Sequence, residues 1–210
     1  CEIMKQGAAM QIVLATNNTH KLTEVRAILA GCGLEVVSPA DLGLELDVEE
    51  SGATFRENAL LKAMACHRES GMAALGDDSG LVVEALGGRP GVLSARYAGR
   101  HGDDGANTAR VLEELAQLGD VSRAAAFVCS LAWVDLEGGA HFFEGRVEGE
   151  IASAGAGSGG FGYDPVFYLP QCRCTMAELP FEQKNTLSHR RRALDAFVAW
   201  WQERGAGHAH

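Results

Sequence analysis

Met72-Ala73-Ala74-Leu75-Gly76-Asp77-Asp78-Ser79-Gly80-Leu81-Val82-Val83-Glu84-Ala85-Leu86 sets two adjacent carboxylates between two apolar runs. Asp is a poor strand residue, and neighbouring carboxylates repel each other. The apolar runs read as buried strand, with the Asp pair at a tip between them. An acidic turn accounts for Asp, Ser and Gly together. A cation accounts for the pair equally well, because hard divalent ions such as Mg²⁺ take carboxylate oxygens, usually alongside substrate phosphates.

Upstream, Met10 to Ala15 is a β-branched, apolar run that predicts a buried strand. Thr16-Asn17-Asn18-Thr19-His20-Lys21 follows, then Leu22, Val25, Ile28 and Leu29 at helical spacing up to Gly31. Asn and Thr are good N-caps, and the free N–H groups of a helix start bind anions. Lys21 is a cation at the end of the helix that disfavours one, so a nearby anion would stabilise it. A capped helix with a solvated lysine fits the same letters. GxxxxGK[ST] is absent, which excludes the usual NTPase phosphate loop. Leu34 to Val37 predicts a second strand. An acidic connection ends in Glu49 and Glu50, either as favourable charges before a helix or as metal ligands. Ser51 opens the predicted helix over 55–69, which carries Lys62.

Downstream, Asp103 or Asp104 caps a helix that ends at Gly119. Ala124 to Val134 and His141 to Ile151 are β-rich runs joined by Glu137-Gly138-Gly139, a hairpin signal. A glycine-rich stretch then ends in Phe161-Gly162-Tyr163-Asp164-Pro165 before the apolar Val166 to Leu169. So many glycines point to close backbone approach, and an aromatic face beside a cavity suits a nucleobase. Phe181 to Arg192 leads into one final helix through Leu194, Phe197 and Trp201, with Lys184 and Arg190 near its start. Alternating strands and helices followed by a hairpin predict one α/β domain with a mixed sheet.

The bulk numbers bound the function. The chain has 210 residues, 47% hydrophobic, with a net charge of −10, which argues against non-specific nucleic-acid binding. No apolar run reaches the ~20 residues of a membrane span. No basic segment followed by an apolar run opens the chain, so no secretion signal is expected. Six scattered cysteines show no zinc spacing, and reduced thiols in a cytoplasmic protein are expected. Residues 1–9 read as an extension, 10–203 as the domain and 204–210 as a flexible tail. Of 18 basic residues only Lys5, Lys21, Lys62 and Lys184 are lysines, and three of these four fall in the motifs above.

Six of these motifs in order resemble the inosine/xanthosine triphosphate pyrophosphatases of bacterial type. They are Thr16-x-Asn18-x-x-Lys21; Glu50 before Thr54-Phe55-x-Glu57-Asn58-Ala59-x-x-Lys62-Ala63; Asp77-Asp78-Ser79-Gly80-Leu81; Gly87-Gly88-x-Pro90-Gly91 with Ser94-Ala95-Arg96-Tyr97; Gly159 to Pro165; and Lys184-Asn185-x-x-Ser188-His189-Arg190. Thr16 stands where Ser is common and Asn17 where Gly often is. The resemblance implies an elongated α/β domain with its active site in a central cleft, a homodimer, and Mg²⁺-dependent cleavage of ITP, dITP and XTP to monophosphate and pyrophosphate. It places Thr16, Asn17, Asn18, Thr19, His20 and Lys21 on the phosphates, with Lys62 and Ser79. It places Glu50 and Asp78 on Mg²⁺, with Asp78 also as general base, although Asp77 and Asp78 could divide those two tasks. Phe161 would stack on the base within Gly162 and Tyr163. Asp164, Lys184, His189 and Arg190 would complete the purine pocket, with Arg190 donating to the six-oxo group. A pyrophosphatase for other modified nucleotides and a non-catalytic nucleotide sensor are the alternatives.

Overall fold

The computed structural model describes residues 9–207. All but the last residue of the expected extension lies outside the described residues, as do 208–210 of the expected tail. In chain order the elements are β1 (Met10–Ala15), α1 (Thr19–Leu29), β2 (Leu34–Val37), α2 (Phe55–Ser70), β3 (Ala74–Val83), α3 (Asp104–Leu118), β4 (Ala124–Val134), β5 (Ala140–Ile151), β6 (Phe167–Leu169), β7 (Cys174–Thr175), α4 (Phe181–Leu187) and α5 (His189–Gly207).

The strands form one mixed seven-stranded sheet in the order β2-β1-β3-β4-β5-β6-β7. β1 runs parallel to both β2 and β3, and the remaining neighbours are antiparallel. The chain therefore leaves β1 through α1 towards one side and enters β3 through α2 on the other. The C-terminal end of β1 is the point where the winding reverses, the usual place for a crevice in an open α/β sheet.

Alternation along the strands sorts the core. Ile12, Leu14, Leu75, Cys129 and Leu131 face α1 and α5, meeting Val25, Leu29, Leu194 and Phe197. Val13, Ala15, Ala74, Ala132 and Val134 face α2, meeting Ala59, Ala63 and Cys66. Leu81, Val83, Ala125 and Phe127 pack with Val111 and Leu115 of α3.

Three expectations are corrected. The Asp77-Asp78 pair is not a tip: β3 runs unbroken through it, paired with β4 from Ala74↔Val134 to Val83↔Ala125. The strand tolerates the pair because successive side chains point to opposite faces, so the two carboxylates do not share a site. Ser51 does not open α2. Thr54 does, accepting from Glu57 N while Glu57 reaches back in a capping box. The final helix is two. Ser188 ends α4 in an extended conformation, and its Oγ accepts from Arg191 N at 3.0 Å. α5 continues to Gly207, into the expected tail.

Two glycines permit close helix approach. A Cβ at Gly76 would lie 2.0 Å from the Ala59 carbonyl oxygen of α2, and one at Gly145 would lie 2.0 Å from that of His189. Gly76→Ala is thus expected to lose about 1–3 kcal/mol by overpacking, read as a lower urea midpoint. An unchanged midpoint would contradict the close packing of α2 on β3.

Candidate active site

β1 pairs with β3 only as far as Ala15↔Gly76. Past that point β3 has lost its neighbour on this side, and Asp77 is the first residue of the open edge. On one face of β3, Leu75 belongs to the core under α5 and Leu81 to the core under α3. Asp77 and Ser79 lie in the gap between them. On the other face Asp78 lies between Gly76 and Gly80, beside α2. A cleft of about 690 Å³ wraps this edge, within the range of small-molecule sites.

Three buried or half-buried lysines each meet a carboxylate here. Lys21 Nζ is 2.5 Å from Asp77 Oδ1. Lys62 Nζ is 2.7 Å from Asp78 Oδ1 and 3.0 Å from Glu50 Oε1. Lys184 Nζ is 2.7 Å from Asp164 Oδ2 and 3.3 Å from Glu24 Oε1. Lys21 thus already faces one anion, Asp77. The remaining lysine, Lys5, lies outside the described residues.

Arg190 is 1% exposed. Its Nε donates to Asp77 Oδ2 at 2.7 Å, one terminal nitrogen to Glu24 Oε2, and the other to Ser79 Oγ at 3.0 Å. Arg190 borders the cleft; each of its three nitrogens holds one side chain, which engages three of its five N–H donors. A continuous chain of alternating charge results, Asp164–Lys184–Glu24–Arg190–Asp77–Lys21, running from the glycine-rich loop to the first turn of α1.

Environment separates the two aspartates. Burial alone would raise Asp77, but Arg190 and then Lys21 outweigh it and hold the carboxyl well below its usual range. Burial pushes Asp78 up, against the pull of Lys62 and Lys21. Asp78 lines the cleft, and among the described lining residues Asp77 does not appear. Asn58 Nδ2 donates to Asp78 Oδ2 at 3.3 Å while its Oδ1 accepts from Gly52 N, tying α2 to the strand. For Glu50, burial is outweighed by Lys62 and Arg96, which lower its carboxyl. Arg96 Nη1 lies 3.0 Å from Glu50 Oε2.

At the other end of the cleft the glycine-rich loop is pinned from both sides. Asp164 Oδ2 accepts from Phe161 N at 2.9 Å, and Asp104 Oδ2 accepts from Gly162 N at 2.7 Å. Tyr163 Oη donates to Ser94 O at 2.8 Å. Burial raises the Asp164 carboxyl, although Lys184 opposes it. Lys184 Nζ lies 4.4 Å from the Phe161 ring centroid. His189 stacks on Phe127 with centroids 4.9 Å apart, and burial followed by Arg190 pushes its imidazole well below the ordinary range, so the ring is neutral. Its Nδ1 has no hydrogen-bond partner among the described residues.

The cleft thus gathers Thr16, Asn17, Asn18, Lys21, Glu50, Lys62, Asp78, Ser79, Phe161, Gly162, Tyr163, Asp164, Lys184, His189 and Arg190. Of the residues expected in the site, Thr19 and His20 do not line it. Glu24, Arg96, Ser94, Asp104 and Phe127 line it without having been singled out as site residues. Glu24 had a signal: it precedes buried Val25 and sits one helical turn from Lys21.

Two carboxylates, Glu50 and Asp78, converge on Lys62 at the cleft wall. Among the described residues no cluster of three His, Cys, Asp or Glu side chains could hold a metal alone. Two carboxylates fit a hard divalent ion whose other ligands are water and substrate phosphate.

The Ham1 family model matches residues 12–200. A dITP/XTP pyrophosphatase of Geobacillus kaustophilus is 49% identical, covering 92% of this chain and 95% of its own. One of Geobacter sulfurreducens is 48% identical, covering 88% and 92%. A solved Ham1 protein of Coxiella burnetii superimposes with a TM-score of 0.86 at 39% identity, covering 92% of this chain and 99% of its own.

Removing the Asp77 charge strands Arg190 and Lys21, so Asp77→Asn is expected to cost about 3–5 kcal/mol near pH 7. The folded Asp77 carboxyl lies below its unfolded value of about 3.9. Its contribution is therefore complete above about pH 4 and lost as pH falls towards the folded value. Urea unfolding of both proteins should show the same gap at about pH 7 and 5 and a smaller one at about pH 3. A gap that widens in acid would contradict the ion-pair account.

Proposed function

Because this chain belongs to the Ham1 family, we propose that it hydrolyses deaminated purine nucleoside triphosphates (ITP, dITP, XTP) to the monophosphate and pyrophosphate. The observation that carries the reading is the single cleft that joins Asp78, Lys62 and Glu50 at one end to Phe161, Lys184 and His189 at the other. A triphosphate needs cations and an anion-tolerant helix start, and a purine needs an aromatic face with polar groups around it.

Phosphoryl chemistry is mainly positioning and charge neutralisation. Lys21 at the start of α1 receives the phosphate chain, with Lys62 opposite. Asp78 is the base that orients or deprotonates water. The oxygens of Asp77 are taken by Arg190 and Lys21, which removes it from that task. Glu50 and Asp78 would hold Mg²⁺, which would supply positive charge at the phosphates. At the base, Lys184 beside Phe161, His189 beside Phe127 and the two remaining N–H donors of Arg190 provide the polar contacts, and Glu24 links Arg190 to Lys184. A homodimer and a cytoplasmic setting belong to the same reading and rest on the family resemblance.

Product analysis over ITP, dITP, XTP, GTP and ATP tests it. Monophosphate and pyrophosphate from the first three are expected, with ATP turned over poorly. Asp78→Asn should lower kcat by about 10²-fold or more, and EDTA should abolish turnover. Lys21→Ala and Lys62→Ala should impair ITP and XTP by similar factors. Orthophosphate as the product, or full activity of Asp78→Asn, would overturn the assignment.

A further inference from the structure

His20 stands in the first turn of α1, yet it does not line the cleft. It stacks on Phe161, with centroids 5.3 Å apart and planes inclined by 14°. Phe161 lines the cleft and His20 does not. His20 is exposed, whereas Lys184, whose Nζ lies 4.4 Å from the same ring centroid, is buried and lines the cleft.

The main chain on either side of Phe161 is anchored by Asp164 and Asp104. Those bonds fix the backbone and leave the ring's orientation to its neighbours. His20 sits on a different element, α1. Its backbone N–H donates to the N-cap oxygen of Asn18 at 2.9 Å in the first turn of α1. The stack thus joins a ring on the glycine-rich loop to a ring on a capped helix start.

We propose that His20 is a positioning residue. Its imidazole backs Phe161 from the solvent side and sets the angle at which a purine stacks on the cleft side. Seating a triphosphate on the first turn of α1 then steadies the base platform through His20. The inference rests on the pyrophosphatase reading above and changes the role expected of His20 from phosphate contact to support of the base.

The test is steady-state hydrolysis of ITP with Mg²⁺ by wild type, His20→Ala, His20→Phe, Phe161→Ala and the His20→Ala/Phe161→Ala double variant. An aromatic pair of this kind contributes about 0.5–1.5 kcal/mol beyond burial, which corresponds to about 2- to 10-fold in KM. His20→Ala is expected to raise KM by that factor, with a smaller change in kcat. His20→Phe, which keeps a ring, should restore KM. In the Phe161→Ala background, His20→Ala should have no further effect, because its partner is gone. Thermal midpoints within error of wild type confirm folding of the exposed-site variants. A wild-type KM in His20→Ala, an undiminished additional loss in the Phe161→Ala background, or no restoration by His20→Phe would each overturn the proposal while wild type remains active. A wild type that hydrolyses no deaminated purine triphosphate would instead overturn the pyrophosphatase reading, and this inference with it.

Discussion

The ion pair between Arg190 and Asp77 is the contact on which the rest of the site depends. Both side chains are almost completely buried, and neither charge could remain in an apolar interior alone. Each therefore needs more than one partner. Arg190 adds Glu24 and Ser79, Asp77 adds Lys21, and Glu24 passes the chain on to Lys184 and Asp164. Desolvation makes such a network a weak source of net stability, but removing one member leaves its neighbours uncompensated. The consequence is geometric. α1, α4, α5, β3 and the glycine-rich loop are held in one arrangement because their charges are interlocked.

That interlock explains why two adjacent aspartates do different work. Strand alternation sends Asp77 towards α5 and Asp78 towards α2. Asp77 is committed to cations on its own face. Asp78 shares Lys62 with Glu50 and opens on the cleft. The end of β1 at Ala15 exposes the edge around which both faces become reachable. One motif thus supplies a structural anchor and a reactive carboxylate from consecutive residues.

Much of this was legible in the letters. The strands β1, β2, β4 and β5, an Asn or Thr cap before α1, Asp103 or Asp104 before α3, and the scarcity of lysine pointed to the fold and to residues that meet in the cleft. What was not legible depended on parity and partners. Asp, Ser and Gly look like a turn, and only pairing with β4 across all ten residues keeps β3 continuous. That Arg190 pairs with Glu24, 166 residues away along the chain, shows in no local pattern. Ser188 reads as mid-helix until its hydroxyl is seen capping α5. His20 sits among letters read as phosphate-binding, yet its ring stacks on Phe161. Each of these facts lies in long-range contact or side-chain direction, which residue type and spacing do not carry.

The division between the two aspartates is tested most directly by a crystal structure with Mn²⁺ and a non-hydrolysable ITP analogue, reading the metal by anomalous scattering. The account predicts the ion on Asp78 and Glu50 against the analogue's phosphates, with Asp77 still hydrogen-bonded to Arg190. An ion coordinated by Asp77, with Arg190 displaced from it, would contradict the account.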